Sequence, residues 1–201
     1  MTETWQESQQ WEKNWWAGCL NTFFEEEKQF TYARLMGIPL VHDGKSGYEF
    51  NISGYILDIG GGPVSMLLKA PRAKGVVVDP CEFPTWVYSR YTSAGIVWRK
   101  EKGEDIDKTG LKDFDLTLIY NCLQHVENPE RIIKNAFSIS KEIRIFEWLE
   151  TGVVKGHPQN LTEKDLNAWL DGVGKTENIN EGQCHGLCYY GIFKGKLFEG
   201  K

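Results

Sequence analysis

Along this chain, short solid apolar runs alternate with stretches whose apolar residues recur every three or four positions. Residues 5–36 open with helical spacing: Trp11, Trp15 and Trp16, then Leu20, Phe23 and Phe24, with Glu25 to Lys28 as a charged patch. Gly18 and Asn21–Thr22 are candidate breaks within it, and Gly37 and Pro39 end it. Residues 40–53 are polar and glycine-bearing and read as a loop. Strands are expected at Tyr55–Ile59, Val76–Val78, Ile96–Trp98, Phe114–Tyr120 and Glu142–Trp148. Helices are expected between them: around Val64, Leu67 and Leu68, over Pro84–Tyr91, and over Pro129–Ser138, where proline suits the first turn. Lys102–Ile106 reads as a polar loop, Asn121–His125 as a turn, and residues 151–160 as a loop carrying His157-Pro158. Thr162 and Asp165 open a last helix to Leu170 with a capping-box-like start. Val173–Asn180 and Leu187–Lys194 read as a closing antiparallel pair.

Alternating strands and helices imply an α/β protein: a Rossmann-like, mostly parallel sheet with helices on both faces. The closing pair gives that sheet an antiparallel C-terminal hairpin, and the tryptophan-rich start is an N-terminal helical extension. The first βαβ unit carries the chemistry. Its first strand ends in Gly60-Gly61-Gly62, where backbone N–H groups can approach a ligand that no side chain would admit. Its second strand ends in Asp79, about 20 residues on, placed to hydrogen-bond ribose hydroxyls. This is a nucleoside-binding device. The dehydrogenase fingerprint Gly-x-Gly-x-x-Gly fails, because Ser65 holds the third position.

The acid instead falls two residues before the first glycine, giving Asp58-x-Gly60-x-Gly62. That pattern resembles motif I of the class I S-adenosylmethionine (SAM)-dependent methyltransferases. A second phrase, Phe-Asp-Leu-Thr-Leu-Ile-Tyr-Asn-Cys-Leu-Gln-His-Val-Glu-Asn-Pro over residues 114–129, resembles the strand-four region of the ubiquinone-biosynthesis type. The resemblance covers roughly residues 54–195 and implies a seven-stranded sheet. It also implies a single domain of 201 residues, with 1–39 as a helical cover and 54–195 as the SAM-binding core.

By this resemblance Asp58, Gly60, Gly61 and Gly62 wrap the methionine portion of SAM, and Asp79, with Pro80 beside it, holds the ribose. An acid after the third strand, Glu104 or Asp105 with Asp105 favoured, accepts the adenine amine. Asn121 and Cys122 line the methyl-transfer site. Methyl transfer is an in-line displacement that removes a proton from a hydroxyl or amine acceptor. His125 and His157, on loops at the ends of strands four and five, titrate near neutrality and are the candidate bases. Glu147 and Glu150 are candidate polar contacts for substrate. Tryptophan is concentrated at the N-terminus: four of eight fall in the first sixteen residues, suited to cover a pocket or to pack on the sheet.

Composition narrows the partners. The net charge is −5, with no basic stripe, so nucleic acid is not expected. The apolar runs are too short to cross a bilayer, and the polar, acidic start is no signal peptide. Five cysteines without paired C-x-x-C spacing suggest free thiols in a cytoplasmic setting. Gly44-Lys45-Ser46 is not a P-loop, because Pro39 stands where the leading glycine belongs. Asn121-Cys122-Leu123-Gln124 departs from the Asn-Pro-Pro-aromatic run of amino-methylating DNA enzymes, and Pro80-Cys81 follows the wrong strand for a cytosine-5 enzyme. Cys184, His185 and Cys188 read as packing and not as a zinc site. The sequence therefore predicts a methyltransferase for a small-molecule, sugar or lipid-precursor acceptor. The alternatives are a protein or RNA methyltransferase, or a SAM-binding module without catalysis.

Overall fold

The computed structural model describes residues 5–16, 19–45 and 47–196. Two helices lead the chain, α1 (Trp5–Trp15) and α2 (Cys19–Leu35). The proposed break at Gly18 lies outside the described residues, and Asn21–Thr22 fall inside α2 without interrupting it. α2 ends as its sequence dictates. Gly37 takes φ +67°, and the Ile38 N–H reaches back to the Ala33 carbonyl at 2.8 Å, a Schellman-type stop.

The segment read as a loop forms a small antiparallel pair, β1 (Leu40–His42) with β2 (Tyr48–Phe50). The main sheet has seven strands: β3 (Gly54–Ile59), β4 (Ala73–Val78), β5 (Val97–Arg99), β6 (Leu116–Tyr120), β7 (Glu142–Trp148), β8 (Lys175–Glu181) and β9 (Cys184–Lys194). Their order is β5-β4-β3-β6-β7-β9-β8. The first five are parallel, while β9 lies antiparallel to both β7 and β8. The order reverses between β3 and β6, so their carboxyl ends flank a crevice at a topological switch point.

Strict alternation along strands buried on both faces builds two cores. Ile56, Val77, Leu118 and Tyr120 face α2 and α3 (Thr85–Ser93), meeting Tyr32, Met36, Val87 and Tyr91. Leu57, Val76, Val78 and Ile119 face the other way, toward α4 (Pro129–Ile139) and α5 (Glu163–Trp169). Asn128 and Thr162 cap these two helices by accepting the N–H groups of Arg131 and Asp165.

The helix expected around Val64, Leu67 and Leu68 is instead two 3-10 turns, Gly62–Val64 and Met66–Lys69. Ser65 sits between them in an extended conformation, and its hydroxyl accepts the Leu67 N–H. The N–H of Ser65 goes to the Tyr91 hydroxyl and that of Met66 to the Tyr120 hydroxyl. Side chains thus take the backbone donors that a helix would have used. Cys184 and Cys188 are buried on one face of β9 beneath α2, whereas His185, on the opposite face, bonds Asn180. Among the described residues, no helix is long and apolar enough to cross a membrane.

Candidate active site

A cavity of about 90 Å³ opens at the carboxyl ends of β3, β4 and β6. Gly60 and Gly62 line it from the β3 turn, with φ of +71° and +56°, a left-handed geometry that L side chains resist. A Cβ on Gly60 would lie 2.6 Å from the Cβ of Cys122, so the turn and the β6 end approach closely.

Asp79, at the tip of β4, lines the cavity and also closes the glycine turn. One carboxylate oxygen accepts the Gly62 N–H at 3.1 Å and the other the Cys81 N–H at 2.8 Å. Burial pushes its pKa up to about 6. Pro80, Asn121 and Cys122 line the cavity as well.

Asp58 does not face the cavity. Strand alternation points it into the core below the turn, where it accepts the hydroxyls of Ser65 at 2.5 Å and Tyr120 at 2.7 Å. Burial raises its pKa to about 7. Gly61 lies above it: a Cβ there would sit 2.7 Å from the Asp58 carboxylate, so this glycine makes room for the acid and not for a ligand. Asp58 thus supports the turn from beneath, and neither it nor Gly61, both expected around the methionine portion, is in the cavity lining.

The two acids after the third strand, Glu104 and Asp105, point different ways. Gly103–Lys108 coils into a 3-10 helix that turns Gly103, Glu104 and Ile106 inward. Asp105 points outward to Lys108 at 2.7 Å and Arg131 at 3.7 Å. Glu104 lines the cavity, its carboxylate accepting the N–H groups of Glu127 and Asn128 at 3.0 Å each.

The turn after β6 is held from below. Glu147 accepts the N–H groups of Cys122 and Leu123 at 3.1 Å each, and burial raises its pKa to about 8. It braces the turn and does not line the cavity; Glu150 is exposed outside it. His125 does line the cavity. Its Nδ1 lies 2.6 Å from the Gly156 carbonyl, which only accepts, so Nδ1 carries the hydrogen. Nε2 faces the Gln124 amide at 3.2 Å. Burial lowers the His125 pKa, so the ring is neutral at physiological pH. Asn128, not His125, caps α4. His157 stands edge-on behind His125, ring centroids 4.7 Å apart, and does not line the cavity.

The roof is α1 with Trp16. Trp5, Gln9, Glu12 and Trp16 recur at helical spacing and all line the cavity. Trp11 and Trp15 stack on each other at 5.3 Å, with Trp11 pressed against Gly156. Of Trp11, Trp15 and Trp16, which the sequence singles out, Trp16 lines the cavity; the informative stripe is 5, 9, 12, 16. It contains Glu12, which sequence reasoning missed. One Glu12 oxygen accepts the Trp16 indole N–H at 2.9 Å, and the other lies 3.2 Å from His125 Nδ1. Burial raises the Glu12 pKa to about 7.

No protein-family model matches the sequence, and no curated protein does. Solved structures do match the fold. The N-methyltransferase NodS from Bradyrhizobium japonicum WM9, in complex with S-adenosyl-L-homocysteine (SAH), superposes with a TM-score of 0.66 at 15% identity, over 94% of this chain and 99% of that one. Magnesium protoporphyrin IX methyltransferase from Synechocystis PCC 6803, with bound SAM, gives 0.57 at 12% identity, covering 86% of this chain and 81% of that one. The 1,6-didemethyltoxoflavin-N1-methyltransferase from Burkholderia thailandensis, with bound 1,6-didemethyltoxoflavin and SAH, gives 0.54 at 16%, covering 71% of each chain. The fold is the class I methyltransferase fold.

The donor set at the switch point of this methyltransferase fold suits SAM. Val78, Val126 and Ile132 make an apolar part of the cavity wall, and Asp79 and Glu104 put two carboxylates on it. Among the described residues, no lysine or arginine lines the cavity, while Glu12, Asp79 and Glu104 do. A dinucleotide pyrophosphate would meet carboxylates with no counter-charge.

Proposed function

We propose that this chain binds SAM and transfers its methyl group to an oxygen or nitrogen of a small-molecule, sugar or lipid-precursor acceptor. The observation that carries this reading is Asp79, bridged to the Gly62 N–H and facing a cavity that, among the described residues, is lined by acids and by no lysine or arginine. SAM supplies a methyl group on a cationic sulfur. The chain supplies alignment in a cavity roofed by α1, which excludes water from the displacement. Residues 1–39 then serve as cover and 54–195 as the cofactor-binding core. His125, neutral and fixed by Gly156, orients the groups around it and holds a ring nitrogen ready for a proton. The small acceptor bound to the Burkholderia enzyme supports a small acceptor here. The four cysteines with described side chains are free and buried, which agrees with a reducing, cytoplasmic setting.

Titration calorimetry with SAM, SAH and NAD is the direct test, followed by SAH release against a panel of hydroxyl and amine acceptors. SAM and SAH binding without NAD binding is expected, with turnover on part of the panel. Tight NAD binding without SAM heat would overturn the reading. SAM binding without turnover on any acceptor would point to a binding module.

A further inference from the structure

We propose that Glu12 reads the charge on the cofactor sulfur, so that α1 holds the methyl donor and releases its demethylated product. This rests on the SAM reading above and adds a residue that distinguishes the two cofactor states.

The geometry starts from the three carboxylates in the cavity. Asp79 is satisfied by two backbone N–H groups, and Glu104 by two others. Glu12 has no such pair. It holds the Trp16 indole N–H, and it shares the His125 Nδ1 hydrogen with the Gly156 carbonyl, which lies nearer at 2.6 Å. Trp16 in turn borders Gly62 of the cofactor turn, 3.9 Å from where a Cβ would stand. Glu12 therefore hangs from the roof between the glycine turn and the β6 turn, and among the described residues no lysine or arginine pairs with it. Burial raises its pKa, and the nearby carboxylates of Glu25 and Asp79 add no positive partner. From the β4 end the Cys81 thiol faces it, itself pushed up and neutral, with the Lys100 ammonium acting on that thiol from the end of β5. Neutral His125 supplies a dipole and no charge.

A sulfonium is the missing counter-charge. On methyl transfer the C–S electron pair stays with sulfur, so the sulfonium becomes a neutral thioether. The acceptor's lone pair forms the new bond to the methyl carbon, and its proton passes to His125 Nε2 or to solvent. Glu12 then faces an uncharged sulfur and loses the interaction that held α1 down. The same acid thus favours closure over SAM and opening over SAH.

Calorimetry on the full chain tests this without any acceptor. The parent should bind SAM at least about tenfold more tightly than SAH at pH 8, the size expected of a charged, partly desolvated contact. The preference should shrink at pH 6, where Glu12 is protonated. Near pH 7, SAM should release protons on binding, read from the dependence of the heat on buffer ionisation, and SAH should not. Glu12→Gln should bring the two affinities within about twofold and abolish the extra proton release, with SAH affinity unchanged. An unchanged SAM-to-SAH ratio in Glu12→Gln would overturn the proposal and leave the methyltransferase reading standing. So would a parent ratio that stays constant from pH 6 to pH 8, a measurement that needs no variant. A parent that binds neither ligand would overturn both.

Discussion

Asp79 closes a loop as well as facing a cavity, and the two duties predict separable losses. Asp79→Ala leaves the N–H groups of Gly62 and Cys81 without their acceptor, an expected cost of about 1–3 kcal/mol for a buried polar group. The melting temperature should fall by at least about 2–4 °C in a chain of this size, and SAM affinity by about tenfold or more from the lost ribose acceptor. Asp105→Ala should leave SAM affinity unchanged, because Asp105 pairs with Lys108 and Arg131 outside the cavity. Calorimetry and thermal melts on both variants check this. Weaker SAM binding in Asp105→Ala alone would reverse the assignment. At this scale the sequence revealed which residues stand at strand ends, and Gly60, Gly62, Asp79, Asn121, Cys122 and His125 do line the cavity. It did not reveal which way a short coil aims its side chains. That is how Asp105 came to be favoured over Glu104, and why Gly61 and His157 fall outside the lining. Asp58 was decidable in principle: it shares the face of Ile56 on β3, and that face points into the core.

α1 is held more loosely than the other helix that leads the chain. It is tied to the body by a ring of single contacts. Lys102 lies 3.7 Å from the Trp5 ring, Cys81 bonds Gln9, Trp11 abuts Gly156, and Lys13 pairs with Glu82 in solvent. α2 is anchored differently, through Tyr32, Ala33 and Met36 buried in the core and through Gln29 bonded to the Val64 carbonyl. Removing residues 1–16 should therefore leave a folded protein, since α2 carries its own packing face, while SAM binds about tenfold more weakly or worse. Circular dichroism and calorimetry on the truncated chain test this. Unaltered SAM affinity in a folded truncation would make α1 packing alone. Helices and strands with long periodic runs, such as α4 and β7, were legible because their burial follows their period. β1 and β2 were not, since three residues carry no period. The turn after Gly62 imitated a helix through the spacing of Val64, Leu67 and Leu68, and Ser65 cut it.

Across the whole molecule, buried acids set an unusual response to pH. Burial raises Glu12 and Asp58 to about 7, Asp79 to about 6 and Glu147 to about 8. An acid whose folded pKa lies above its unfolded value binds more protons when folded, so its contribution to stability falls as pH rises between the two values. For these four groups the window runs from about pH 4, the unfolded carboxylate range, up to the folded values. His125 works the opposite way, since its lowered pKa makes stability rise as pH climbs toward the unfolded histidine value. Glu26, lowered by Arg90 and Lys69 despite its burial, adds stability that is lost only in acid, below the window's middle. Four raised acids oppose one lowered histidine between pH 5 and pH 8, so the ligand-free protein should lose stability across that range. One pKa unit corresponds to about 1.4 kcal/mol, so a fall of at least about 2–4 °C in melting temperature is expected. SAM should offset this, because Glu12 gains a cation in the cavity and Asp79 gains ribose hydroxyl donors, whereas Asp58 and Glu147 lie beneath it and gain nothing. Thermal melts from pH 5 to pH 8, with and without SAM, should therefore diverge as pH rises, with the bound form declining less steeply. A ligand-free melting temperature that climbs steadily over this range would mean that the buried acids are not protonated in the folded chain. A SAM-induced shift of equal size at every pH would mean that Glu12 does not face the cofactor's charge.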